Sequence, residues 1–300
     1  MGIYNDYFLA SLEKIETVNS ERTYVELNMA RLFLSAILGE EWCRRRVLFG
    51  DKPDPFMLNA NDRWLATHPV PPPDTRRVLY TSRVIRLSDA LFTLVGKVSG
   101  FERFRQRLLK RKDTSALFSE ALVASLLTRN GAAVQIVGES GKRGEDFDLL
   151  VTIGGVPVSV EVTGLHGTTL SVRAILNKLR SKRSQVPSNR AAVLYLIAPN
   201  AWMKNYTAAF LVFNEALIRF TRASRRFNAV VLIWEGIKAA EGGGFAQSHL
   251  QPIYNNRARW VIPDRGIFNL KADNWGRYLY SDPFVEKLKT FRLKQQIGQH

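Results

Sequence analysis

The sequence predicts an α/β fold, a mixed β-sheet flanked by helices, from three features. Alternating segments at 148–153 and 156–163 flank Gly154-Gly155, which is typical of a β-hairpin with a two-residue type I′ turn. Uninterrupted apolar runs at 191–198 and 229–234 are typical of buried strands. The segment between the two runs has helical spacing, and a strand, a crossover helix and a second strand imply parallel pairing.

The two-residue loop sets the register of the hairpin, so that Ile153 faces Val156 and Asp148 faces Glu161. Directly opposed residues share a face of a sheet. The hairpin is therefore expected to have a polar face and an apolar face. The polar face contains Asp146, Asp148, Ser159, Glu161 and Thr163, and the apolar face contains Leu149, Val151, Val158, Val160 and Val162.

Asp148 and Glu161 form a pair of carboxylates at close range. Opposed strand residues have Cβ atoms about 4.5–5.5 Å apart, so two ionised carboxylates there repel. A shared proton with a raised pKa relieves such a pair, and so does a bound divalent cation. The hairpin is therefore a candidate site for either one.

A third carboxylate is expected from the preceding helix. Thr114 or Ser115 can cap a helix that ends near Arg129, where Asn130-Gly131 stops it. Glu120 lies on the apolar stripe of that helix and is expected to point towards the sheet. Three carboxylates form a hard-oxygen cluster suited to Mg²⁺ or Mn²⁺.

This order of elements resembles the PD-(D/E)XK, or restriction-endonuclease-like, nucleases, and most of all the Holliday-junction resolvases. The resemblance covers residues 118–234 and neither end of the chain. Glu120 matches the helix Glu, Asp148 the metal-binding Asp, and Glu161 the Glu of the Glu-x-Lys motif. The chain departs from the pattern in two places: it lacks the motif Pro, and Thr163 stands where the family has Lys.

The resemblance implies a restriction-endonuclease-like core and hydrolysis of phosphodiester bonds with Mg²⁺ or Mn²⁺. Asp148 and Glu161 would hold the metal, together with the Val162 carbonyl. Glu120 would bind the metal directly or through a water molecule. The motif Lys orients the attacking water, and Lys178 first or Lys182 second is the expected replacement. Further candidates are Asp146, in place of Asp148 if the hairpin carries a bulge, and Thr163, His166 and Gln185. Many members of this fold act as dimers, so a homodimer is a fold-level expectation.

The net charge of +16 and the pI near 10.2 favour a polyanionic partner, nucleic acid first and an anionic membrane second. Residues 162–214 contain no Asp or Glu, and residues 101–112 form a basic helix. Solvated charged faces are the alternative explanation for both segments. The expected contacts to nucleic acid are Arg103, Arg105, Arg107, Lys110, Arg173, Arg180 and Arg183.

Composition excludes other classes. The sequence has no apolar run of about eighteen residues, so no membrane span is expected. Its first residues lack the pattern of a signal peptide. The single cysteine, Cys43, cannot form an internal disulfide and fits the reducing cytoplasm, where we expect the protein to act. One cysteine and four histidines argue against a structural zinc site.

Three regions are expected. Residues 1–110 form a helical region with a Pro-rich connection near 70–73, and within it a helix is expected from Asp89 to Lys97. Residues 111–240 form the nuclease-like core. Residues 241–300 form an aromatic and basic extension that begins with a flexible glycine triplet at 242–244.

The leading hypothesis is a metal-dependent endonuclease, with DNA favoured over RNA as substrate. One alternative is a catalytically inactive nucleic-acid-binding module on the same fold, with Thr163 marking the lost chemistry. A second alternative is an assembly component of a transposition or phage-defence complex, in which the helical ends serve partners.

Overall fold

The structure, a computed structural model, describes residues 22–46, 74–110, 115–138, 145–165, 170–199, 202–203, 205–240 and 243–268. Within these residues six strands form one mixed sheet in the order β1 to β6, with helices on both faces, which confirms the predicted α/β class. The helices are α1 (Arg22–Leu38), α2 (Glu40–Arg46), α3 (Asp74–Leu94), α4 (Phe101–Lys110), α5 (Ser115–Arg129), α6 (Val172–Arg183) and α7 (Tyr206–Ala223). The strands are β1 (Ala133–Ile136), β2 (Leu149–Ile153), β3 (Val156–Gly164), β4 (Ala191–Ile197), β5 (Phe227–Ala240) and β6 (Gly243–Tyr254), and a 3₁₀ helix spans Gly266–Phe268.

The hairpin of β2 and β3 has the predicted turn and register. Gly154 and Gly155 have φ angles of +55° and +81°, the left-handed conformation that a type I′ turn requires at both positions. Ile153 pairs with Val156, and the ladder runs back to Leu149 and Val160. β1 pairs antiparallel with β2 on its other side.

β3, β4 and β5 pair in parallel, as the buried runs predicted. The crossover helices α6 and α7 cover one face of this part of the sheet. Ser171 caps α6 as its side chain accepts a hydrogen bond from the Ala174 N–H at 3.2 Å. Asn205 caps α7 in the same way, as its side chain accepts a hydrogen bond from the Ala208 N–H at 3.1 Å.

The prediction of a flexible glycine break at 242–244 is wrong for the two glycines that the structure describes. Gly243 and Gly244 lie in β6 and pair with Ala240 and Ala239 of β5, in an antiparallel hairpin. β6 carries few alternating apolar residues and contains Pro252, so it lacks the usual signal of a strand. Pro252 is tolerated because β6 lies at an edge of the described sheet.

The sheet separates two hydrophobic clusters. One face packs against α1, α3, α4 and α5 and includes Val151, Val160 and Val231. The other face packs against α6 and α7 and includes Leu194 and Leu232. No helix of the described residues is both long enough and apolar enough to cross a membrane.

The helix predicted from Asp89 is part of the longer α3, which begins at Asp74. Ser88 is fully buried in the interior of α3 and does not cap a new helix. Asp89, also buried, pairs with Arg129 of α5 at 2.6 Å, so tertiary contacts override the local capping signal. In α4, Phe104 and Leu108 are buried. The Pro-rich connection near 70–73 lies outside the described residues.

Candidate functional site

Glu161 lies in the interior of β3, on the face that packs against α6. Its parallel neighbour Leu194 belongs to the hydrophobic cluster formed with α6 and α7. Ser159 and Thr163, two residues to either side, share this face and are buried. The polar face predicted for the hairpin is therefore buried beneath a helix.

Lys182 of α6 contacts Glu161 directly. The Lys182 Nζ lies 2.6 Å from the Glu161 Oε1, and the two side chains are 17% and 2% exposed. Lys178 lies one helical turn earlier on the same side of α6. Burial lowers the pKa of Lys178, the charge of Lys182 lowers it further, and the charge of Glu161 raises it. Of the two lysines predicted to replace the motif Lys, the second candidate is the one in contact with the carboxylate.

Glu161 is protonated more readily than an ordinary glutamate. Burial raises the pKa of Glu161 to about 8, and the charge of Asp148 acts in the same direction. Lys182 lowers this pKa, while the charge of Glu120 raises it. The buried Oε2 of Glu161 has no hydrogen-bond partner among the described residues. The carboxylate thus has one oxygen held by a cation and one buried oxygen without a hydrogen-bond partner among the described residues.

Asp148 lies immediately before β2, where the hairpin ladder has ended. The ladder follows the predicted register and ends at Leu149 with Val160, one residue short of the predicted pair of Asp148 with Glu161. The Asp148 N–H donates to the Val160 carbonyl at 3.1 Å, and the Asp148 carbonyl accepts from the Val137 N–H at 2.9 Å. The Asp148 Oδ2 accepts from the Val162 N–H at 2.7 Å, which holds the carboxylate against β3 beside Glu161. Val162 thus contacts Asp148 through its backbone N–H, whereas the resemblance implied a role for the Val162 carbonyl.

Glu120 points inward from α5 as predicted and is buried. Both of its oxygens accept hydrogen bonds from the Arg107 guanidinium of α4, each at 3.0 Å. The charge of Glu120 raises the pKa of Glu161, but both oxygens of Glu120 already accept hydrogen bonds from Arg107. Among the described residues, no group of three or more His, Cys, Asp or Glu side chains is placed to hold a metal ion.

These contacts decide which predicted ligands fit a cation. Asp148 and Glu161 offer two neighbouring carboxylates, one with an unsatisfied buried oxygen, and Mg²⁺ is often bound by one or two carboxylates together with waters and substrate phosphates. Glu120 does not fit as a direct ligand while Arg107 holds both of its oxygens. The two-carboxylate site fits Mg²⁺ or Mn²⁺, and the predicted three-carboxylate cluster is not formed.

The remaining candidates surround this pair at different positions. Thr163 is buried on the same face of β3, and Asp146 is half-buried in the loop before β2. Gln185 follows α6, and its buried Oε1 has no hydrogen-bond partner among the described residues. His166 lies outside the described residues. Ser159 lies on the predicted polar face but is not among the predicted site residues. Its buried Oγ also lacks a hydrogen-bond partner within the described part of the chain.

The basic residues predicted to contact nucleic acid fall into two groups. In α4, the side chains of Arg105 and Arg107 bind Glu102 and Glu120, whereas Arg103 and Lys110 are exposed. In α6, the lysines face Glu161 and the arginines point to solvent. The exposed arginines of α6 are Arg173, Arg180 and Arg183.

Comparisons with known proteins add nothing to this geometry. The chain matches no protein-family model, no curated protein and no solved structure.

Proposed function

We propose that the chain is a metal-dependent endonuclease that hydrolyses phosphodiester bonds of nucleic acid, with DNA as the favoured substrate. The observation that carries the proposal is the buried carboxylate of Glu161, with one oxygen on Lys182 and the other without a partner among the described residues, beside Asp148. The resemblance to PD-(D/E)XK nucleases requires two acidic side chains and a lysine, and here the lysine contacts one of the acids. The order of helix, strand, hairpin, helix and strand from α5 to β4 supports the same proposal.

Asp148 and Glu161 would hold the cation. When bound, Mg²⁺ or Mn²⁺ supplies positive charge to the attacked phosphate and lowers the pKa of water. Glu161 must lose its proton to act as a ligand, so binding is expected to strengthen as the pH rises towards 8.

Lys182 supplies the charge that Thr163 lacks. If Glu161 held the cation, the Lys182 ammonium that now donates to its carboxylate could donate to a phosphate oxygen. Lys178, with its lowered pKa, is the candidate to accept a proton from the attacking water. Thr163, buried and uncharged, can only offer a hydrogen bond.

Cleavage tests the proposal. Plasmid, linear and branched DNA are incubated with Mg²⁺ or Mn²⁺ and wild type, Glu161→Ala or Glu215→Ala. Glu215 is an exposed carboxylate of α7, so its removal makes the same charge change away from the site. We expect Glu161→Ala to reduce the rate by at least about 100-fold, the scale of a catalytic group, and Glu215→Ala to cut like wild type. Failure of wild type to cut any substrate, or equal cutting by Glu161→Ala, contradicts the proposal.

One observation favours the alternative of a catalytically inactive nucleic-acid-binding module. Glu120 and Glu161 are each ion-paired within the chain, so both charges are already partly compensated. Calorimetric titration with Mn²⁺ separates the two functions. The nuclease is expected to bind Mn²⁺ with an affinity that Glu161→Ala reduces, whereas the inactive module is expected to bind nucleic acid without measurable Mn²⁺ binding.

A further inference from the structure

Two neighbouring cavities lie on the outer side of α6, and both are lined by arginine. One, of about 400 Å³, lies between the end of α6 and the turn from α7 to β5. The other, of about 300 Å³, follows the contact between α6 and α7. Arg180 lines both cavities, so they adjoin at this residue, and we call the two together the arginine groove. Its arginines are Arg173, Arg180, Arg183, Arg219, Arg225 and Arg226.

The positive charge of the groove is not compensated within the described part of the chain. No Asp or Glu of the described residues lines either cavity. Arg219 pairs with Glu215 at 2.6 Å, but Arg180, Arg183 and Arg225 have no acidic partner among the described residues. Three guanidinium groups in one cavity repel one another unless an anion lies between them.

The ends of the two helices explain only part of this charge. α6 ends at Arg183 and α7 ends at Ala223, beside the larger cavity. Each helix C-terminus carries about half a negative charge, so together they offset about one positive charge. The larger cavity is lined by four arginines, so most of its positive charge remains.

The walls of the larger cavity are held in place by hydrogen bonds. The Arg226 Nη1 donates to the Arg183 carbonyl at 2.7 Å, which ties the end of α6 to the turn after α7. The buried Asn255 Nδ2 donates to the Ser224 carbonyl at 2.8 Å, and the Arg259 N–H donates to the Arg225 carbonyl at 2.9 Å. Arg226 thus shapes the cavity, while Arg180, Arg183 and Arg225 are exposed and available.

The groove is separate from the carboxylate site. Lys178 and Lys182 face Glu161, whereas Arg173 and Arg180, seven residues apart, lie on the opposite side of α6. A helix with its side chains is about 10–12 Å across, so one phosphate cannot occupy both positions. A ligand in the groove is bound beside the site and not within it.

A chain of phosphates fits the groove best. α6 has 12 residues and is therefore about 18 Å long. At about 3.4 Å per phosphate along one strand, this length corresponds to about five phosphates. Guanidinium groups bind phosphate oxygens in pairs, and a recessed groove admits a strand, whereas a flat bilayer reaches only its rim.

We propose that the arginine groove binds the phosphate backbone of nucleic acid at a second contact region, on the side of α6 away from Glu161. The proposal rests on the proposed function only in taking nucleic acid as the partner. It assigns Arg225 a contact role that its position in the sequence did not suggest, beside Arg180 and Arg183.

Binding of labelled single-stranded and duplex oligonucleotides, measured by fluorescence anisotropy in EDTA at several salt concentrations, tests this. Binding of the same proteins to vesicles with anionic lipids is measured alongside. The groove variant is Arg180→Gln with Arg183→Gln and Arg225→Gln; Arg226 is kept because it holds the end of α6. The matched control is Lys97→Gln with Arg257→Gln and Arg265→Gln, which removes three exposed charges outside the groove and outside the predicted contacts. Circular dichroism confirms that each protein is folded, and the single variant Arg180→Gln serves if the triple variant is not.

We expect the affinity of the groove variant to fall by at least about 10-fold, and the slope of its salt dependence to fall by about 0.9 for each phosphate that the variant no longer neutralises. The control is expected to show a much smaller decrease. Equal decreases in the two variants would mean that only net charge matters, and would overturn the groove. Unchanged oligonucleotide binding would also overturn it, as would a decrease confined to binding of vesicles with anionic lipids.

The two proposals fail separately because binding is measured without metal. If wild type binds through the groove but cuts no substrate, the nuclease proposal fails and the groove stands. If wild type cuts but the groove variant binds DNA as wild type does, only the groove proposal fails.

Discussion

A buried carboxylate must be compensated or protonated, and Glu161 shows both responses. Lys182 holds one of its oxygens at 2.6 Å, yet burial and the charge of Asp148 raise the pKa of Glu161 to about 8. Near neutral pH the side chain therefore lies close to the point where it exchanges a proton. A divalent cation and a proton would compete for the same oxygens.

This raised pKa predicts how stability depends on pH in the metal-free protein. An unfolded chain releases the Glu161 proton near its ordinary pKa of 4.5, whereas the folded chain keeps it to about 8. Between these values the folded state binds more protons, so the free energy of unfolding falls as the pH rises. Each unit of raised pKa corresponds to about 1.4 kcal/mol, so the change across the window amounts to a few kcal/mol.

Glu161→Gln removes the titrating group and keeps the shape of the side chain. Urea unfolding in EDTA at pH 5, 6.5 and 8 is expected to show a steeper loss of stability in wild type than in Glu161→Gln. Groups that do not interact with Glu161 titrate equally in both proteins and cancel in the difference. Parallel curves for the two proteins would show that Glu161 has an ordinary pKa.

At the level of single residues, the sequence predicted the register of the hairpin and the face of its residues but not which lysine contacts Glu161. Alternation placed Ser159, Glu161 and Thr163 on one side of β3, and all three are there. The order of preference between Lys178 and Lys182 could not be decided from spacing, because both lie on one side of α6. The choice depends on how α6 is seated over β3, which is a tertiary property.

At the level of elements, local signals succeeded where they agreed with packing. The turn at Gly154-Gly155, the bounds of α5 and the cap of α6 follow from turn, stop and capping residues. β6 was missed because pairing with β5, and not its own pattern, makes it a strand. The start of α3 was missed because buried contacts of Ser88 and Asp89 override their preference for a helix cap.

The pair of Arg107 and Glu120 joins α4 to α5 and predicts a large effect on stability. Replacing Arg107 by Met leaves Glu120, which is only 4% exposed, as a buried carboxylate without this partner. Breaking a buried pair from one side typically costs about 3–5 kcal/mol, whereas replacing both partners by apolar groups is often neutral. We expect Arg107→Met to be strongly destabilised and Arg107→Met with Glu120→Leu to regain most of the stability.

Chemical unfolding of Arg107→Met, Glu120→Leu and the double variant measures the coupling between the two residues. Arg219→Met is the matched control, since Arg219 and its partner Glu215 are both exposed and such pairs contribute about 0–1 kcal/mol. A cost for Arg107→Met no larger than that for Arg219→Met would show that the α4–α5 link is weak. A double variant no more stable than Arg107→Met would show that the two residues act independently.

At the level of the whole molecule, the helices before residue 111 and the sheet share one hydrophobic cluster. Phe33 of α1, Leu87 of α3 and Phe104 of α4 are fully buried in the same cluster as Val160 of β3. Arg83 and Arg86 of α3 bind Glu235 of β5 at 2.7 and 2.8 Å, which adds a polar link between the helices and the sheet. Composition suggested a helical region at 1–110, but it did not indicate which surface those helices cover.

The shared cluster predicts that residues 111–300 do not fold alone. The fragment would lose the part of this cluster that Phe33, Leu87, Leu91 and Phe104 supply, all fully buried. Each such side chain contributes roughly 1.5–3 kcal/mol by burial, so these four supply about 6–12 kcal/mol. The total stability of a domain is about 5–15 kcal/mol, so the fragment is expected to lack a cooperative thermal transition. Co-expression with residues 1–110 is expected to restore one, because the cluster is complete again. A fragment 111–300 that melts cooperatively by itself would instead make residues 1–110 a separate unit, which is the arrangement that an assembly component with partner-binding helices requires.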